Sequence, residues 1–155
     1  MKKVAVLVGV VLFLFADINT ENKKALTAYQ KGEYKIALNI WKNLCNKFNN
    51  IKACNNEALL IYKKAQYLNE NQAKSVEILK KLIKQNPKNP SILYNLANIY
   101  WYGYYDNRKH YALIKRKEAL KLFKEAAKLG YKPAKEFLKN NKLLDYNATD
   151  VSKKK

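Results

Sequence analysis

The chain has 155 residues, a formal charge of +19, 48% hydrophobic residues and two cysteines. That apolar content excludes a wholly disordered protein, and the length suits one domain with a moderate core. Arg108 and Arg116 are the only arginines, so lysine carries nearly all the positive charge, and the single histidine leaves little material for metal or acid–base chemistry.

Residues 1–16 place Lys2 and Lys3 before an apolar run from Val4 to Phe15, then Ala16 before Asp17. A basic start and about a dozen apolar residues fit a secretory signal peptide, whereas a membrane span needs roughly 20. The expectation is an exported, periplasmic protein. Leu14 and Ala16 fall at the −3 and −1 places of the cleavage site, where a small pair is usual, so an uncleaved anchor held peripherally at the membrane is the alternative. No cysteine follows the run, which argues against a lipoprotein.

A helical domain is expected over residues 20–143, followed by a disordered basic tail over 144–155. Thr20 to Gln30 predicts a short helix with Ala25 and Ala28 on one side. After Gly32, Glu33 to Phe48 carries the clearest helical period in the chain, with Tyr34, Ala37, Leu38, Trp41, Leu44, Cys45 and Phe48 on one stripe. Ile51 to Leu68 repeats it through Cys54, Ala58, Ile61, Tyr62 and Ala65. Lys74 to Gln85 repeats it through Val76, Leu79, Leu82 and Ile83, and Pro87 and Pro90 close that helix because neither fits a helix interior. From Pro90, Leu93, Leu96, Ala97 and Tyr100 give the next stripe. Ala119, Phe123, Ala126, Ala127 and Gly130 mark its partner, with Gly130 placed for a left-handed cap. A last helix runs from Pro133 to about Leu143 with Ala134, Phe137 and Leu138 inward, its proline in the first turn where a missing N–H costs nothing. No run has the period of a strand. The expected fold class is all-α: antiparallel helix-turn-helix repeats stacked as a short right-handed α-solenoid.

These residues carry a family resemblance over roughly Ala25 to Leu138. Gly32-Glu33-Tyr34, Ala37 and Trp41 resemble the turn and second helix of a tetratricopeptide repeat, and Leu79, Leu82 and Pro87 recur in matching places. Leu93, Leu96, Ala97 and Tyr100 then fall in register for the next first helix. The third unit, with Tyr100-Trp101-Tyr102-Gly103, Ala119-Leu120, Phe123, Ala126-Ala127 and Gly130, is similar to a Sel1-like repeat. Its connection, Tyr104 to Lys115, is longer than either family usually has. The resemblance implies a binding or scaffolding role for a protein partner in an envelope assembly. By carry-over from the tetratricopeptide register, Tyr94, Asn98 and Trp101 would line the partner groove.

Cys45 and Cys54 flank the turn between two predicted antiparallel helices, so their thiols can meet at disulfide distance, and export favours oxidation. Such a pair is also similar to those of the secreted, cysteine-rich Sel1-like proteins. Two buried free thiols are the alternative; a metal site is the poorer one, with His110 remote in sequence. Asn147-Ala148-Thr149 is a glycosylation sequon, and Asp145 at −2 makes it resemble the extended acceptor of periplasmic oligosaccharyltransferases.

Catalytic chemistry finds little support, and no cofactor is expected. There is no Gly-rich phosphate loop and no H-E-x-x-H motif, and the one S-x-x-K, Ser152 to Lys155, lies in the tail. A β-lactamase-type activity, known among Sel1-like proteins, is therefore the third reading. The second is polyanion binding, to DNA or an acidic glycan, for example in DNA uptake. It would use the aromatic and basic residues Tyr102, Tyr104, Tyr105, Arg108, Lys109, Tyr111, Lys115 and Arg116, since bases and sugars stack on aromatic faces while cations meet phosphates.

Overall fold

The computed structural model describes residues 17–109 and 111–143, which are all-helical, with seven helices packed against their chain neighbours as in a short repeat solenoid. Residues 17–30 form α1, followed by α2 (Tyr34–Phe48), α3 (Ile51–Leu68), α4 (Gln72–Gln85), α5 (Pro90–Tyr102), α6 (Arg116–Lys128) and α7 (Lys132–Asn140). Three hairpins, α1–α2, α3–α4 and α5–α6, stack in order, and α7 closes the array against α6. The expected stripes face inward except at Phe48, which is 46% exposed at the end of α2, and α5 buries two further residues, Ile92 and Ile99, because α4 covers it on one side and α6 on the other.

The abundant asparagine has a structural use at the ends of these helices. Asn50, Asn71 and Asn89 are N-caps whose side-chain oxygens accept from the N–H groups of Ala53 (2.9 Å), Ala73 (3.0 Å) and Ser91 (3.2 Å). At the other end, α1, α3, α6 and α7 share one cap. In α6 the Tyr131 N–H donates to the Ala126 carbonyl (3.1 Å) and the Gly130 N–H to that of Ala127 (3.0 Å), with Gly130 at φ +88°. This is a Schellman motif, which needs a left-handed residue, and Asn69 takes that position after α3 at φ +54°. The recurring cap turns the chain back within three residues between α1 and α2, α3 and α4, and α6 and α7, whereas α5 and α6 are joined by a longer connection.

Two large apolar clusters form most of the core, beside a small third one of Leu93, Ala126 and Ala134. One joins α1, α2 and α3 around Trp41, Leu44, Leu60 and Ile61. The other runs through α3 to α7 around Leu79, Leu82, Ile99 and Phe123. Helix α3 contributes to both, so it is the spine through which the first and last repeats are connected. At the C-terminal end Phe123 stacks on Phe137 with centroids 3.9 Å apart, and Trp101 meets Phe137 edge-on at 5.3 Å. No helix of the described residues is long and apolar enough to cross a membrane.

Candidate functional site

The long α5–α6 connection is built into the fold rather than looped away from it. Tyr104 and Leu113 exchange backbone hydrogen bonds (3.2 and 2.8 Å) as an isolated antiparallel bridge, which pinches the connection at its base. The Lys115 N–H then donates to the Tyr100 carbonyl (2.9 Å), returning the chain to α5. Gly103 starts the reversal at φ +93°, a conformation that disfavours a side chain. A Cβ at this position would lie 2.9 Å from Ile114 Cγ1.

Polar contacts then fasten the connection to the α3–α4 corner. The Tyr62 hydroxyl donates to the Gly103 carbonyl (2.9 Å), and burial pushes that phenol above its ordinary pKa, so it stays a donor. Gln72 bridges three segments: its Nε2 donates to the Tyr62 carbonyl (2.8 Å), and its Oε1 accepts from the Tyr105 N–H (2.8 Å). Asp106, 6% exposed, accepts from Arg108 Nε (3.0 Å) and Nη2 (2.7 Å), from the Arg108 N–H (3.1 Å) and from Asn71 Nδ2 (3.3 Å). The hydrogen bonds from Arg108 hold that carboxyl well below the usual carboxylate range.

This docking leaves a cleft of about 600 Å³ between the C-terminal end of α3 and the connection, lined by Lys63, Lys64, Gln66, Tyr67, Asn69, Glu70, Gln72, Tyr105 and Asn107. Helix α3 departs from helical geometry at Lys64 (φ −129°, ψ 23°), beside the carbonyl that Gln72 engages; a side chain inserted into a helical ladder is a recognised cause of such a break. Tyr67 and Tyr105 are each 59% exposed. Tyr67 is steadied by edge-on contact with Tyr34 (5.7 Å), over which Lys64 Nζ sits at 4.7 Å.

A second, narrower groove of about 170 Å³ lies between α1 and α3, lined by Leu26, Tyr29, Trp41, Asn56, Leu59, Leu60 and Lys63. Trp41 is 3% exposed, and its buried indole N–H has no acceptor among the described residues. A buried donor left unpaired is costly, and a bound acceptor would relieve that cost.

Between α2 and α3, Cys45 and Cys54 form a disulfide with Cα atoms 4.7 Å apart. Beside it Glu57, 3% exposed, lines a cavity of about 150 Å³ together with Lys42, Lys74 and Lys81. Burial pushes the Glu57 carboxyl above its ordinary pKa, against the opposing pull of Lys74 and Lys42. Sequence reasoning did not single out Glu57. Its signal was available, since the residue stands three after Cys54 and four before Ile61 on the inward stripe of α3.

No family model and no curated protein matches this chain.

The residues expected to line a partner groove, Tyr94, Asn98 and Trp101, are half-buried on α5. Tyr94 meets Phe123 (5.6 Å) and Tyr131 (5.3 Å), Trp101 meets Phe123 and Phe137, and Asn98 Nδ2 donates to the Tyr94 carbonyl (2.9 Å). Together the two aromatics thus contact α6, α7 and the turn between them. The aromatic and basic residues of the connection are divided in the same way. Tyr104 is in the core, stacked near Tyr100 at 6.2 Å; Arg108 is committed to Asp106; Lys115 lies over Tyr100 (5.3 Å) and Arg116 over Trp101 (5.3 Å). Tyr102, Tyr105, Lys109 and Tyr111 are exposed. Residues 1–16, His110, Asn147 and Ser152 lie outside the described residues.

Proposed function

We propose that this is an exported, non-enzymatic helical repeat scaffold, of the tetratricopeptide and Sel1-like kind, that binds a segment of a protein partner in the periplasm. The observation that carries the reading is the groove between α1 and α3. It combines exposed Leu26, half-buried Tyr29, Asn56 and Leu59, and the unpaired indole N–H of Trp41. An extended peptide offers apolar side chains to the first group and a backbone carbonyl to the last. The disulfide supports the export part, because such bonds persist in oxidising compartments.

The test uses the full chain as bait on an envelope fraction of the native host, beside two variants. Leu26→Arg places a charge at the groove rim on a side chain that is 46% exposed, so folding is preserved. Trp41→Phe keeps a ring in the core but removes the donor. Both variants are expected to lose at least three-quarters of the partner retained by the wild-type chain while keeping its helical circular dichroism. Identical retention by all three would refute the groove.

A further inference from the structure

The cleft at the α3–α4 corner has the composition of a carbohydrate site rather than of a peptide groove. Its exposed apolar surface is aromatic, in Tyr67 and Tyr105: the Tyr105 backbone is tied to Gln72 through its N–H, and Tyr67 meets Tyr34 edge-on, with Lys35 Nζ 5.9 Å from its ring centroid. Planar faces of that kind cover the C–H faces of sugar rings. Around them stand the carboxamides of Gln66, Gln72, Asn69 and Asn107, groups that donate to and accept from hydroxyls. The volume of about 600 Å³ is in the range of ordinary ligand sites.

The charge of the lining narrows the class further. Lys63 and Lys64 bring two cations, and the one carboxylate, Glu70, accepts from Lys74 Nζ with both oxygens (3.0 and 3.1 Å). Neither arginine lines the cleft to supply a fork for phosphate: Arg108 is bidentate on Asp106 and Arg116 lies over Trp101. Point-charge lysines flanking aromatic faces and carboxamides suit a carboxylated sugar better than a phosphodiester chain.

The geometry points to a binding site for an acidic saccharide of the uronic-acid type, with sugar rings on Tyr67 and Tyr105, carboxylates on Lys63 and Lys64, and hydroxyls on the surrounding amides. The site is distinct from the α1–α3 groove, sharing only Lys63 with it, and does not rest on the peptide-binding reading. Its conformation is set by the Gln72 bridge, so the α5–α6 connection acts here as the wall of a binding site.

Titration calorimetry of the full chain with oligogalacturonate, matched maltooligosaccharide and a single-stranded thymidine oligomer tests this directly. Oligogalacturonate is expected to bind, to weaken as salt rises, and to outcompete the neutral oligomer at least tenfold. Tyr105→Ala, which keeps the backbone donor to Gln72, and Lys64→Gln are each expected to weaken it at least fivefold. Tyr111→Ala, an exposed ring outside the cleft, should leave it unchanged. Absence of oligogalacturonate binding would overturn the proposal, as would equal affinity for the neutral oligomer or tighter binding of the thymidine oligomer. An equal loss in Tyr111→Ala would also overturn it by moving binding out of the cleft. Leu26→Arg should not alter saccharide affinity, which separates failure of this site from failure of the peptide groove.

Discussion

Reducing the Cys45–Cys54 disulfide isolates one contribution to the stability of the first two repeats. The bond links residues nine apart and closes the α2–α3 turn. Loop-closure entropy for a ring of that length is about −8.7 cal/mol/K, so the link destabilises the unfolded chain by about 2.6 kcal/mol at 25 °C. In a domain of this size that corresponds to a fall of about 8–13 °C in Tm on reduction. Differential scanning calorimetry of the oxidised and phosphine-reduced protein measures it. The Cys45→Ala/Cys54→Ala variant adds the loss of packing around the buried Cys54 sulfur and is expected to melt below the reduced wild type. Amide exchange should rise first at the turn, where the Asn50 N–H donates to the Leu44 carbonyl (3.3 Å) and the Cys54 N–H to that of Asn50 (2.9 Å). A Tm that moves by less than about 2 °C on reduction would refute the loop-entropy reasoning. Two thiols labelled in the unreduced, folded protein would refute the bond itself.

Three further perturbations separate packing, backbone and charge. Phe123→Ala removes a fully buried ring in contact with Tyr94, Trp101 and Phe137, and is expected to cost about 3–5 kcal/mol by denaturant unfolding. Gly103→Ala should destabilise the chain by about 1–3 kcal/mol, since alanine at φ +93° is strained and its Cβ meets Ile114 Cγ1; an unchanged midpoint would contradict that geometry. Glu57→Gln reports a pH dependence. The folded protein holds the Glu57 proton more tightly than the unfolded chain, whose value is about 4.5, so the stability linked to it is full below that pH and falls as pH rises through the folded value. The variant should therefore melt above wild type at pH 7 and match it near pH 4, and a variant less stable than wild type at pH 7 would reverse the assigned cause.

The helices were legible because each is specified locally. Apolar residues at i, i+3, i+4 and i+7, Pro at the starts of two helices, and Gly32 and Gly130 past the ends of two others point to the same elements, and the observed bounds differ from the expected ones by a few residues at most. The pairing of Cys45 with Cys54 was legible for the same reason, since two residues either side of a tight antiparallel turn have little choice of neighbour. The site was not legible in that way. Tyr104 and Tyr105 are adjacent and identical in kind, yet one is core and the other lines the cleft. What separates them is the pairing of Tyr104 with Leu113 and the grip of Gln72, a residue 33 positions away, on the Tyr105 N–H. Asp106 and Glu57 show the same division: composition records two carboxylates among many, and only their surroundings drive one pKa down and the other up. The sequence by itself determined the helices, their order and their staple, because those depend on contacts between near neighbours. The tertiary structure alone decided which aromatic and basic residues remain at the surface, because that depends on long-range contacts to the α3–α4 corner that no local pattern encodes.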